Sequence, residues 1–258
     1  MELSENARRL LKATDKPGII PGIHNYCDRW CSKCPFTNRC GSFSLEEEFA
    51  KDDSKNEEQI WTHLSVMLET SLELLKSKAE ELGIELDDQD MEIDQEIDFR
   101  KSRDKNPLLA EAKKYSSLTT DWLNSNQTVL ENLDTLLFEN GPEHQFIEEF
   151  SDPSFTNLIE VIAYYKDFIA VKINRAILQP QEKNAALKEL SSYDSNGSAK
   201  IALIAIDRSI GAWASILKRM PSREDELLVI LVNLQRLRCN METEFPDARN
   251  FLRPGFDD

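Results

Sequence analysis

Four cysteines, Cys27, Cys31, Cys34 and Cys40, fall within fourteen residues of a chain that has five in all. They lie in the run His24-Asn25-Tyr26-Cys27-Asp28-Arg29-Trp30-Cys31-Ser32-Lys33-Cys34-Pro35-Phe36-Thr37-Asn38-Arg39-Cys40. Four thiolates complete the ligand shell of a tetrahedral zinc ion or of a [4Fe–4S] cluster. Disulfides are the competing use, and they belong to oxidising compartments. The N-terminus, Met1-Glu2-Leu3-Ser4-Glu5-Asn6-Ala7-Arg8-Arg9, places charges where a secretion signal needs an apolar run. The expectation is a cytoplasmic protein whose Cys27, Cys31, Cys34 and Cys40 are metal ligands.

The spacing bears on which metal. C-x3-C-x2-C is the spacing of radical S-adenosylmethionine enzymes. Those resemble one another in a βα barrel and leave one iron without a cysteine. Here no run of strands is legible, Cys40 offers a fourth thiol, and Lys33 stands where an aromatic usually precedes the third cysteine. The half Cys31-x2-Cys34-Pro35-x4-Cys40 resembles the end of the iron–sulfur loop in endonuclease III-type DNA glycosylases, and that resemblance implies a [4Fe–4S] cluster. It covers ten residues. The first spacing differs from that family, with three intervening residues instead of six, and no glycine-rich helix–hairpin–helix motif is present. Zinc fits four thiolates too, although larger zinc modules separate their ligand pairs by a dozen residues or more. The iron–sulfur cluster is favoured over one zinc ion. The whole segment His24–Cys31 with Cys34-Pro35-Phe36 and Arg39-Cys40 also resembles a motif near the N-terminus of uncharacterised bacterial helical proteins, a likeness that implies no activity.

The elements that must position these thiols are helical. Glycine is scarce, with 8 in 258 residues, and Leu, Glu, Lys and Ala are plentiful. Residues 4–14 carry Leu3, Ala7, Leu10 and Leu11 at helical spacing, and Lys16-Pro17-Gly18 ends them. Residues 17–43 have no regular pattern, so a metal would supply their order. Ser54 and Glu57 form a capping-box pattern before Ile60, Leu64, Met67, Leu68, Leu72 and Leu75, and Gly83 stops that helix. Asn106-Pro107 opens a helix expected to reach Asn140, with a bend near Ser116–Thr120. Glu143–Phe150 forms a short helical piece. Asp152-Pro153 opens another helix, through Leu158, Ile162, Tyr165, Ile169 and Ile173 to Pro180. Ser195-Asn196-Gly197-Ser198 is expected to break the chain before an apolar central helix, Ile201–Met220. Pro221-Ser222 ends that helix and caps the last one, which runs to about Phe245, and the tail from Pro246 reads as irregular.

The fold class expected is therefore all-α: a bundle of five or six helices over 44–258, with an irregular metal-binding segment in 1–43. Net charge is −16, which argues against nucleic-acid binding. Residues 16–40 are an exception: Lys16, Arg29, Lys33 and Arg39 against Asp28 give +3, leaving −19 for the rest. Those cations either stabilise an anionic thiolate centre or form a small docking patch, and the first use is favoured. No apolar run reaches the length of a membrane span.

Other candidate sites are weaker. Residues 84–98 hold Glu85, Asp87, Asp88, Asp90, Glu92, Asp94, Glu96 and Asp98, but no glycine permits a calcium loop, so they read as a solvated connection. His24, His63 and His144 lack the Glu-x-x-His spacing of di-iron bundles. His24 is expected beside the metal site, His63 as a hydrogen-bonded boundary residue, and Cys239 as a small core residue. Asp207-Arg208-Ser209 interrupts the most apolar helix. The Asp207 carboxylate is expected to be buried against Lys166, Lys172 or Arg175. The functional expectation is a metal-binding protein with an interaction or redox-sensing role and an unidentified protein partner. The rival is a redox enzyme that uses the cluster for electron transfer, with its substrate in a polar pocket near Asp207 and Arg208.

Overall fold

The computed structural model describes residues 16–50, 57–81, 105–127, 155–178 and 185–257, together with Ser4, Arg8 and Leu11. These residues form six α-helices, short 3-10 turns and no strand. The helices are α1 (Gly41–Ala50), α2 (Glu57–Glu81), α3 (Pro107–Ser125), α4 (Phe155–Ile177), α5 (Ala185–Arg219) and α6 (Glu224–Glu244). Among the described residues, no helix is long and apolar enough to cross a membrane. The capping-box Ser54, the acidic stretch 84–98, the piece Glu143–Phe150 and the side chains of His63 and His144 lie outside the described residues. Contacts divide the chain into two compact units, Met1–Ile93 with Leu252–Asp258, and Asp94–Phe251.

The second unit is a four-helix bundle. Helix α3 packs on α4 and α6, and α5 packs on the same two, so the four close a ring. The apolar positions of α4 recur every three or four residues: Phe155, Leu158, Ile162, Tyr165, Ile169 and Ile173 are all buried. Isoleucine is a mediocre helix former, so packing rather than propensity holds α4. At the centre, Trp213 Nε1 donates to Tyr115 OH at 3.3 Å, and the Trp122 and Trp213 rings meet edge to face at 5.0 Å.

Helix α3 starts where the sequence places it. Asn106 Oδ1 accepts from Leu108 N–H at 2.9 Å and Pro107 occupies the first turn. Its described span ends at Ser125, and residues 128–140 of the expected helix lie outside the described residues. The buried Asn126 ends it, its side-chain amide donating to Trp122 O at 2.8 Å while its N–H bonds the same carbonyl. A side chain competing with the ladder interrupts the helix there, while the backbone stays helical through Ser116–Thr120.

The expected break at Ser195–Ser198 does not occur, because α5 runs unbroken through it. The backbone of α4 explains this. Ala176 O belongs to the last turn of α4 and has no partner within that helix. Ser195 Oγ donates to it at 2.6 Å. Gly197, Ser198 and Ala199 are buried beside it, and small side chains permit close helix approach. Arg175 clamps Asp194 with two bonds, at 2.7 and 3.1 Å. Tertiary contacts therefore override the local breaker.

Three further expectations are corrected. Asp207 is half-exposed rather than buried, and its partners are Arg249 at 2.6 Å and Arg238 at 3.5 Å, not cations of α4. The helical period turns position 207 toward α6 and the 248–250 turn, while Arg208 bonds Tyr165 OH. Cys239 is exposed, because Leu234, Leu237 and Met241 take the buried stripe of α6. Ser222 does not cap α6 by its side chain; a 3-10 turn at Pro221–Arg223 leads in, and Glu224, Asp225 and Glu226 complement the helix N-terminus. In the first unit, Trp61, Leu68, Leu72 and Leu75 of α2 are exposed.

Ser195→Ala is expected to cost about 1–3 kcal/mol, because it strands a buried carbonyl. Asp207→Ala is expected to cost about 1 kcal/mol, as a half-exposed ion pair does. Urea unfolding checks both, and a loss of several kcal/mol at position 207 would place that pair in a dry interior instead.

Candidate metal centre

The cysteine segment is a loop tied at its ends. Ile20 N–H donates to Arg39 O at 2.9 Å, and Arg39 Nε donates to Gly18 O at 3.1 Å. Between these ties run three 3-10 turns, Ile23–Tyr26, Cys31–Lys33 and Thr37–Arg39. The first follows Gly22, whose φ of 72° is left-handed, and it buries Ile23 and Tyr26. Cys34 and Cys40 each follow one of the other turns, their N–H groups bonding Cys31 O and Thr37 O at 3.2 Å. Ser44 N–H bonds Cys40 O at 3.0 Å, which joins the last cysteine to α1.

The reversal between Cys27 and Cys31 is tight. Asp28 Oδ1 accepts from Trp30 N–H at 3.2 Å, and Arg29 between them has φ 57°. A left-handed arginine costs roughly 1–2 kcal/mol. Strain of that size persists where surrounding structure fixes it, and such places cluster at functional sites. The guanidinium stays exposed at the cavity rim. Lys33 lies over the Trp30 ring at 4.8 Å.

All four sequence-predicted ligands line one small cavity, about 20 Å³ in volume, that opens to solvent. Ile23, Phe36, Phe43 and Phe256 supply its apolar walls, and His24, Asp28, Arg29 and Trp30 border it. Each of the four cysteines is half-buried. Cys27 Sγ donates to His24 O at 3.5 Å, and Cys34 Sγ accepts from Phe36 N–H at 3.4 Å. Burial pushes the Cys31 thiol up, and the nearby Glu46 carboxylate and the Cys27, Cys40 and Cys34 thiols push it further. Burial holds His24 below its usual value, and Arg29 adds to that.

The donor set suits a thiophilic metal: four soft ligands on one wall system, with an N–H already aimed at a sulfur. The sulfurs share the cavity without meeting at a point. Among the described residues, no group of three or more His, Cys, Asp or Glu side chains is arranged to hold a metal ion. The thiols would therefore have to draw inward around any metal, as ligands of metal-ordered segments do.

Sequence reasoning missed the wall supplied by the C-terminal tail. Phe256 meets Phe36 edge to face at 5.1 Å. Gly255, with φ 75°, lies so close to Ile20 and Ile23 that a Cβ there would come within 2.8 Å of Ile20 Cδ1. Arg253 holds Asp257 with two bonds, at 2.7 and 2.9 Å, and lies 4.9 Å from the Phe256 ring centre. Pro254-Gly255-Phe256 was the available signal, a turn followed by an aromatic in an otherwise polar tail.

No family model, curated protein or solved structure matches this chain.

Position 29 should tolerate glycine and resist branching. Arg29→Gly is expected to keep or raise hydrogen-exchange protection at the Lys33, Cys34 and Cys40 amides, and Arg29→Val to lower it, since a β-branched residue fits φ > 0 poorly. Exchange followed by mass spectrometry decides between the two, and faster exchange in the glycine variant would mean that the arginine side chain itself holds the turn.

Proposed function

We propose that Cys27, Cys31, Cys34 and Cys40 hold a metal centre, a [4Fe–4S] cluster in preference to one zinc ion, that orders the N-terminal segment. The observation that carries this reading is that all four thiols of one short loop line a single cavity. Between Gly18 and Cys40 the loop buries only two apolar side chains, Ile23 and Tyr26, so a bound metal would add to the hydrogen bonds and the Phe256 packing that order it. The resemblance of Cys31–Cys40 to an iron–sulfur loop supports the cluster over zinc. The role proposed is interaction or redox sensing in the cytoplasm, with a protein partner. Four cysteines leave no open ligand position for a substrate, which favours sensing over turnover.

The rival reading, a redox enzyme acting near Asp207 and Arg208, has less support. Asp207 is bonded by Arg249 and Arg238, and Arg208 by Tyr165. Those bonds describe a structural ion-pair network and leave no free acid or base there.

Anaerobic purification with iron, zinc and sulfide analysis tests the proposal. The expected product is brown, with about four irons and four sulfides per chain. Single Cys→Ser variants at 27, 31, 34 or 40 should lose most of the metal, whereas Cys239→Ser should keep it. One zinc and no sulfide would retain the site and replace the metal. Metal-free protein would end the proposal.

A further inference from the structure

We propose that residues 253–257 form a strap that walls one side of the four-cysteine cavity and is coupled to the metal, so that loss of the metal releases that segment. This rests on the metal reading above and adds a regulated element to it. The strap reaches the site from the far end of the sequence, yet two independent contacts seat it and an ion pair within it fixes its turn. Phe256 is itself a wall of the cavity and packs edge to face on Phe36, which stands two residues beyond Cys34. Gly255 presses on Ile20 and Ile23, at the start of the cysteine loop, where any side chain would collide. Arg253 and Asp257, both largely buried, lock the turn between them. The amides of Phe256 and Asp257 are bonded to Arg253 O, at 3.1 and 3.2 Å.

Coupling follows from what the strap touches. Its contacts are made to Ile20, Ile23 and Phe36. Those residues belong to the same loop as the cysteines. If the metal orders that loop, it also builds the surface on which the strap sits. Linkage then runs both ways: the docked strap must hold the metal more tightly by the same factor by which the metal holds the strap. Phe256 acts here as a positioning and covering residue, not as a ligand. Loss of the metal to oxidation or chelation would thereby undock residues 253–257, a change that a protein partner can read.

The test uses the full-length metal-loaded protein and three variants: truncation after Leu252, Phe256→Ala, and Leu252→Ala as a control whose side chain is exposed. Circular dichroism confirms that helix content is unchanged. Metal transfer to a chromogenic chelator should be about tenfold faster in the truncation and in Phe256→Ala, within the range typical of coupled sites, and unchanged in the control. In the wild-type chain, stripping the metal should abolish exchange protection at the Phe256 and Asp257 amides. A fully metallated wild type whose truncation releases metal at the wild-type rate, or whose strap amides stay protected after stripping, overturns the strap and leaves the metal centre standing. A wild type that carries no metal removes the centre and the strap together.

Discussion

The N-terminal unit depends on one backbone tie, the Ile20–Arg39 hydrogen bond, which closes a loop with almost no core of its own. Fixing each backbone residue costs roughly 1–2 kcal/mol of conformational entropy. In an ordinary segment burial offsets that cost. Here the buried apolar side chains are Ile23 and Tyr26, and the interior that a core would fill is instead a cavity faced by four thiols. The tie holds the loop ends, the 3-10 turns place the cysteines, and the left-handed Arg29 brings Cys27 and Cys31 round to the same side.

The bundle draws its order from the opposite source. Its helices are amphipathic, and the burial of Ile162, Ile169, Ile173, Leu203, Leu227 and Leu237 is the driving term. This is why the all-helical class and the start of α3 were legible: period and capping chemistry are local properties of the sequence. The misreadings share one cause. Ser195-Asn196-Gly197-Ser198 is a breaker in isolation, yet the unpaired Ala176 carbonyl and a close neighbouring helix convert those residues into a contact surface. Asn126 ends α3 through a bond that pattern reading does not weigh. Asp207 finds Arg249, forty-two residues on, because a helical face and a later turn meet in space.

The candidate site divides along the same line. Four cysteines in one short loop are adjacent in sequence, so their sharing of a cavity was readable from spacing alone. The wall made by Gly255 and Phe256 was not, since more than two hundred residues separate it from Ile20. Periodicity says nothing about such a contact. Only the left-handed φ of Gly255 and the absence of room for a Cβ show that this glycine serves close approach rather than a free end.

A four-thiol site of this construction constrains what it could do. With every ligand position taken by cysteine, a bound centre could gain or lose an electron or be lost outright, but it could not coordinate a substrate. Electron exchange is favoured by proximity to solvent, and the cavity is open on one side while aromatic rings cover the other. Charge around it is also distinctive: Lys16, Arg29, Lys33 and Arg39 surround the loop in a chain that is otherwise strongly acidic. Positive potential near a thiolate centre stabilises its anionic form and raises the ease of its reduction. A change of oxidation state or metal content at such a centre would then alter charge within a locally basic segment, where the surrounding cations respond to it most directly.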